Sequence, residues 1–136
     1  MFLQAQKKSM RPEHLYLLDI IEAADAIDRF CSSVDENEFL QDELRQSAVL
    51  QKLIIIGEAA SRLSRKFRKQ YNQIEWEDII GFRNIAVHEY FVVLWQIVWN
   101  TALQDVPVLR NKVSEIIEND RNQVWTNFIF KNKTGW

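Results

Sequence analysis

Residues 76–91 read W-E-D-I-I-G-F-R-N-I-A-V-H-E-Y-F, and the chain sets Arg83, Asn84, His88 and Tyr90 there between apolar side chains. A guanidinium can hold phosphate in a bidentate fork, and an imidazole can take or give a proton near neutral pH. The spacing is informative. On a helix beginning near Glu75, Arg83 and His88 fall roughly 140° apart at about 100° per residue, so a regular helix cannot aim both at one point. Asn84 and His88, four residues apart, do share a face. Either the helix loosens before His88, or the two groups meet across an interface with a second copy.

Outward from this stretch the apolar spacing is helical. Leu17, Ile20, Ile21, Ala24, Ile27 and Cys31 recur every three or four residues, which predicts an amphipathic helix from Pro12 to about Cys31, with Pro12 in its first turn. Ser33-Val34-Asp35-Glu36 reads as a capping box opening a short acidic helix to about Asp42. A long central helix is expected over residues 44–70, where Val49, Leu53, Ile56, Ala60, Leu63 and Phe67 form a heptad-like seam. Leu50, Ile54 and Ala59 add a second apolar face, so this helix should be packed on more than one side. Gly57, in mid-helix at a cost of about 1 kcal/mol against Ala, marks close approach of another backbone. Glu58 beside it needs a donor if buried, and Arg83 can supply one.

Beyond Tyr90, residues 92–105 read as an apolar helix carrying Trp95, Val98, Trp99, Ala102 and Leu103. Pro107 breaks or restarts it, and residues 108–119 form the last regular helix, with Leu109, Val113, Ile116 and Ile117 inward. Residues 1–11 are expected to be a flexible tail, in which Met10 could itself be a start. Residues 12–119 are expected to be the bundle. In residues 120–136 the aromatic Trp125, Phe128, Phe130 and Trp136 show no clear helical spacing; this tail should be covered, on the bundle or at an interface. The fold class expected is all-α, an up-and-down bundle of about five helices.

Composition excludes several classes. With 47% hydrophobic and 26% charged residues over 136 positions, the chain can bury a core as one domain and is not a disordered segment. Three Gly and two Pro argue against a turn-rich β fold. No apolar run approaches the roughly 18 residues of a membrane span, and the start lacks a secretory signal's apolar core. The single Cys31 cannot form an internal disulfide, so the expected setting is the cytoplasm. Two His and no Glu-x-x-His pair exclude the di-metal bundle pattern, and no phosphate loop or nucleophile elbow occurs. A net charge of −2 and a pI of about 5.7 weigh against a dedicated nucleic-acid binder. The basic run Arg62, Arg65, Lys66, Arg68 and Lys69 partly offsets this; it reads either as a solvated helix end or as an RNA-backbone contact.

Arg-x-x-x-x-His with Asn84 directly after the arginine and Tyr90 two residues after the histidine resembles the signature of the HEPN superfamily. Within it the chain resembles HepT-type toxins, ribonucleases paired with a minimal nucleotidyltransferase. E-H-L-Y-L-L-D-I-I-E-A at 13–23, I-I-I-G-E-A-A at 54–60 and Ile74-Glu75-Trp76 agree, so the likeness runs from about Arg11 to about Ile117. The resemblance implies an obligate homodimer whose active cleft forms at the interface. Arg83 and His88 from both chains would be catalytic, and no cofactor would be needed. His88 would move the proton of the ribose 2′-hydroxyl or of the leaving oxygen while Arg83 steadies charge on phosphorus. Asn84 would bind phosphate or orient His88; as a plain residue it would cap or pack. Tyr90 matches the tyrosine that the ATP-using partner adenylylates, silencing the enzyme.

Two other readings stand beside this one. In the first the same dimer is a non-catalytic interaction module that binds the nucleotidyltransferase; in the second it is an antitoxin that restrains a toxic nucleotidyltransferase. His14 is expected at the surface and Cys31 in the core.

Overall fold

The computed structural model describes residues 11–134, with side-chain surroundings as far as residue 131; the expected tail before Arg11 and the terminal Trp136 lie outside them. In order come α1 (Glu13–Cys31), α2 (Glu36–Phe39), α3 (Glu43–Arg62), α4 (Arg65–Gln70) and α5 (Trp76–His88). A 3-10 turn (Tyr90–Val92), α6 (Trp95–Asn100), a π turn (Thr101–Asp105) and α7 (Val106–Thr134) complete the chain. No strand occurs among the described residues, and the fold is an all-α bundle.

α3 is the central element. It packs against α1, α5 and α6, while α1 also packs against α7. Its two apolar faces explain this placement: Val49, Leu53, Ile56 and Ala60 are buried on one, Leu50 and Ala59 on the other. α1 presents Leu17, Ile20 and Ile27 to the same core with almost no exposure. Burying side chains of this size contributes about 1.5–3 kcal/mol each. Phe39 and Trp99 close the core near α2 with ring centroids 5.0 Å apart, and Cys31 is buried, as its place on the apolar stripe requires.

Four local features differ from the sequence reading. The capping box lies two residues later than expected: Asp35 Oδ1 accepts from the Glu38 backbone N–H at 2.8 Å, and Glu38 Oε1 accepts from the Asp35 N–H at 3.2 Å. The helix it opens ends at Phe39, and Asp42 caps α3 instead.

The expected central helix does not run unbroken to Gln70. Leu63 is extended (φ −69°, ψ 141°), and Ser64 caps α4 by accepting from the Phe67 N–H at 3.1 Å. The Glu13 carboxylate accepts from the Ser64 N–H at 2.6 Å, tying the start of α1 to the break. Apolar spacing concealed the break because Leu63 and Phe67 both stay buried across it.

Pro107 neither breaks nor restarts the helix. A proline lacks the N–H and crowds the carbonyl four residues back, here that of Leu103. The wider π turn carries the chain past this point, with the Val106 N–H donating to Thr101 O. The turn also shifts the helix phase, so Ala102 and Val106 face inward while Leu103 is exposed.

Residues 120–134 are helical, the continuation of α7. Val124, Trp125 and Phe128 lie at i, i+1 and i+4 on this extension and are exposed, with Trp125 and Phe128 stacked at 5.7 Å. Among the described residues of the tail, Trp125 and Phe128 are not covered by the bundle of a single chain.

Candidate active site

α5 delivers its chemistry to α3 at one point. Gly57 lets the two helices approach until a Cβ at residue 57 would stand 2.2 Å from Arg83 Cβ and 3.2 Å from the Ile79 carbonyl. Arg83 therefore emerges directly over α3, where Glu58 follows. Its Nη2 donates to Glu58 Oε2 at 2.6 Å, and its Nη1 donates to Asn84 Oδ1 at 2.8 Å. Arg83 Nε is buried without a partner. Glu58 is shared: Arg62, one turn on, reaches Glu58 Oε1 at 3.1 Å through both Nε and Nη2.

Asn84 thus bonds its neighbour Arg83 in this chain rather than turning to His88. His88 is the exposed last residue of α5. The helix does not loosen before it: the Glu89 N–H still donates to Ile85 O at 2.8 Å, an i→i−4 bond beyond His88. Tightening comes afterwards, where the Val92 N–H donates to Glu89 O at 3.0 Å and the Val93 N–H to Tyr90 O at 3.1 Å. Of the two ways to bring Arg83 and His88 together, the single chain does not take the one that bends the helix.

Tyr90 sits on the 3-10 turn, half exposed, its ring edge-on to Phe91 and Trp95. It lines an open groove of about 400 Å³ with Leu40, Gln41, Gln46 and Trp95; Arg83, Asn84 and His88 are not part of that lining. The tyrosine and the Arg83–Glu58 pair therefore open onto different parts of the surface of one chain.

The basic run is divided by the α3–α4 break. Arg62 belongs to the Glu58 cluster, whereas Arg65, Lys66 and Lys69 are exposed on α4. Arg68 is largely covered and pairs with Glu77 of α5 at 3.2 Å. A groove of about 690 Å³ beside α4 is lined by Arg65, Arg68 and Lys69 together with Glu75, Glu77 and Asp78, so its charge is mixed. His14 is exposed, and burial pushes the Cys31 thiol up, away from nucleophilic use. The sequence reading missed the role of Arg62 as second partner of Glu58, although the four-residue spacing was visible.

A helical bundle with an Arg-x-x-x-x-His segment emerging over its central helix is the class this geometry defines. The family described as "Ribonuclease HepT-like" matches residues 20–116, and the chain belongs to it. "Putative RNase MJ1380" of Methanocaldococcus jannaschii is 33% identical over 105 residues, 77% of this chain and 96% of that protein. "Putative RNase TTE0752" of Caldanaerobacter subterraneus subsp. tengcongensis is 32% identical over 114 residues, 84% of this chain and 99% of that protein. "Probable ribonuclease HepT" of Thermococcus cleftensis is 34% identical over 101 residues, 74% of this chain and 92% of that protein. Family membership supports a ribonuclease. No solved structure matches the chain. No helix among the described residues is long and apolar enough to cross a membrane.

Proposed function

We propose that this chain is the toxin of a toxin–antitoxin pair, an endoribonuclease acting without a metal as a homodimer. The observation that carries the dimer is the regular geometry of α5 through His88: it leaves Arg83 and His88 on different faces, so a second copy is the direct way to bring both to one phosphate. One imidazole takes the 2′-hydroxyl proton, O2′ bonds to phosphorus, and the P–O5′ bond breaks. The other imidazole protonates O5′, and the products are a 2′,3′-cyclic phosphate and a 5′-hydroxyl. Arg83 steadies the charge that develops on the phosphoryl oxygens.

Tyr90, half exposed on its turn, is the acceptor for AMP from an ATP-using nucleotidyltransferase. The added phosphate brings negative charge and bulk, silencing the dimer when its cleft is closed to RNA. The exposed cations of α4, Arg65, Lys66 and Lys69, are available to an RNA backbone.

Cleavage of a labelled RNA in EDTA tests the reading. The wild type cleaves and leaves cyclic phosphate ends, while His88→Ala loses activity by about 10²–10⁴-fold. Full activity in His88→Ala sinks it. A second reading draws on the net charge of −2 and on Arg83 being already engaged by Glu58 and Asn84. In it the dimer is a non-catalytic module, or an antitoxin, that binds and restrains the nucleotidyltransferase. Toxicity of the partner expressed alone, with no cleavage by this chain, selects that reading.

A further inference from the structure

We propose that Glu58 is a positioning residue for Arg83, and that Arg62 is the second cation that holds Glu58 in place. The proposal rests on the ribonuclease reading for its catalytic consequence. An arginine side chain has several rotatable bonds and loses aim readily unless it is tied down. Three contacts fix this one. Gly57 seats its Cβ against α3, Glu58 Oε2 takes Nη2 at 2.6 Å, and Asn84 Oδ1 takes Nη1 at 2.8 Å. Glu58 in turn divides its two oxygens, Oε2 to Arg83 and Oε1 to Arg62.

Charge decides whether such a clamp helps or hinders an anionic substrate. A lone carboxylate on Arg83 would neutralise it and repel phosphate. Two guanidiniums around one carboxylate leave a net charge of +1, so the cluster still attracts phosphate while Glu58 sets the direction of Arg83. Arg62 and Glu58 also line a groove of about 390 Å³ between α1 and α3, together with Arg11, Tyr16 and Asp19; Arg83 does not line it but reaches it through Glu58, its own side chain partly exposed.

The test combines steady-state cleavage of a defined RNA with NMR of the arginine Nε–Hε signals in the full-length protein, Arg83 being assigned by the signal lost in Arg83→Lys. Glu58→Gln should lower kcat by about 10–100-fold with KM changed less than about threefold, the size expected of a misaimed group. Glu58→Asp, which keeps the charge on a shorter stem, should recover part of the loss and serves if Glu58→Gln fails to fold. Glu58→Gln in the Arg83→Ala background should cost nothing further, because a positioning residue has nothing left to position. The Arg83 Nε–Hε signal should move in Glu58→Gln and much less in Arg62→Ala.

Full kcat in Glu58→Gln, or an equal additional loss on top of Arg83→Ala, overturns the proposal. A wild type that cleaves no RNA overturns the ribonuclease reading instead. The NMR arm then decides separately, and an Arg83 signal unchanged in Glu58→Gln refutes the hold of Glu58 on Arg83.

Discussion

Gly57 of α3 and Arg83 of α5 stand so close that a Cβ on the glycine would lie 2.2 Å from Arg83 Cβ and 2.8 Å from its Cγ. No pair of real side-chain carbons tolerates that separation, so the helices must part if residue 57 carries any side chain. The packing of the bundle and the aim of its arginine are therefore one problem. Gly57→Ala gains up to about 1 kcal/mol of helix propensity but meets an overpacking cost of about 1–3 kcal/mol. The expected outcome is a net loss of about 1 kcal/mol in urea unfolding, together with a fall in RNA cleavage larger than that loss explains. An equally stable, fully active Gly57→Ala protein would show that α5 shifts freely.

A site shared between two copies predicts complementation. Arg83→Ala and His88→Ala proteins, each left with only residual cleavage, should regain part of the lost activity when co-expressed and isolated as mixed dimers. Such a dimer holds one arginine and one histidine, so activity should remain below that of the wild type. Size-exclusion chromatography with light scattering establishes the mixed species. Inactivity of a verified mixed dimer would show that one arginine and one histidine from different chains do not suffice, because each site draws both groups from one chain or because both imidazoles are required.

The Asp25–Arg110 pair, at 2.8 Å, joins α1 to α7 and sets an acid dependence. The hydrogen bond from Arg110 holds the Asp25 carboxyl below its ordinary value of 3.8, and the nearby positive charge adds to this. A depressed acid contributes stability above its unfolded pKa and loses it as pH falls through the folded value. The stability gap between wild type and Arg110→Gln should therefore be complete at pH 6 and shrink below about pH 4. Both side chains are over a third exposed, so after screening the gap at pH 6 should be no more than about 0.5 kcal/mol. A gap that widens in acid would contradict the assignment.

The far end of α7 should be separable from the fold. Trp125 and Phe128 are more than half exposed and add little to the core of a single chain. Ending the chain at Asn119 should move the melting midpoint by less than about 4 °C, a shift that corresponds to about 1 kcal/mol in a domain of this size. The same truncation should reduce binding of a hydrophobic dye, since an exposed aromatic stripe is what such dyes report. A collapse of the midpoint would mean that the extension is covered by a second copy and contributes to its stability.

Much of this architecture was legible in the amino-acid sequence. Leu17, Ile20, Ile27, Val49, Leu53, Ile56 and Ala60 announce their buried faces by spacing alone, and Gly57 announces a close approach on a helix that otherwise avoids glycine. Arg83, Asn84, His88 and Tyr90 were recognisable as a set because a short motif is a local property of the chain. The Glu58–Arg83 pair is a candidate in the sequence and is present in the fold; the break at Leu63 and Ser64 and the π turn before Pro107 were not legible. Each depends on a contact between residues distant in sequence or on a choice between two backbone states of similar local energy. Ser64 is held at the break by Glu13, fifty-one residues away. Which helix Gly57 receives, and so which arginine Glu58 holds, was decided only when α3 and α5 packed. Periodicity names the face a helix must bury but carries no information about which partner will cover it.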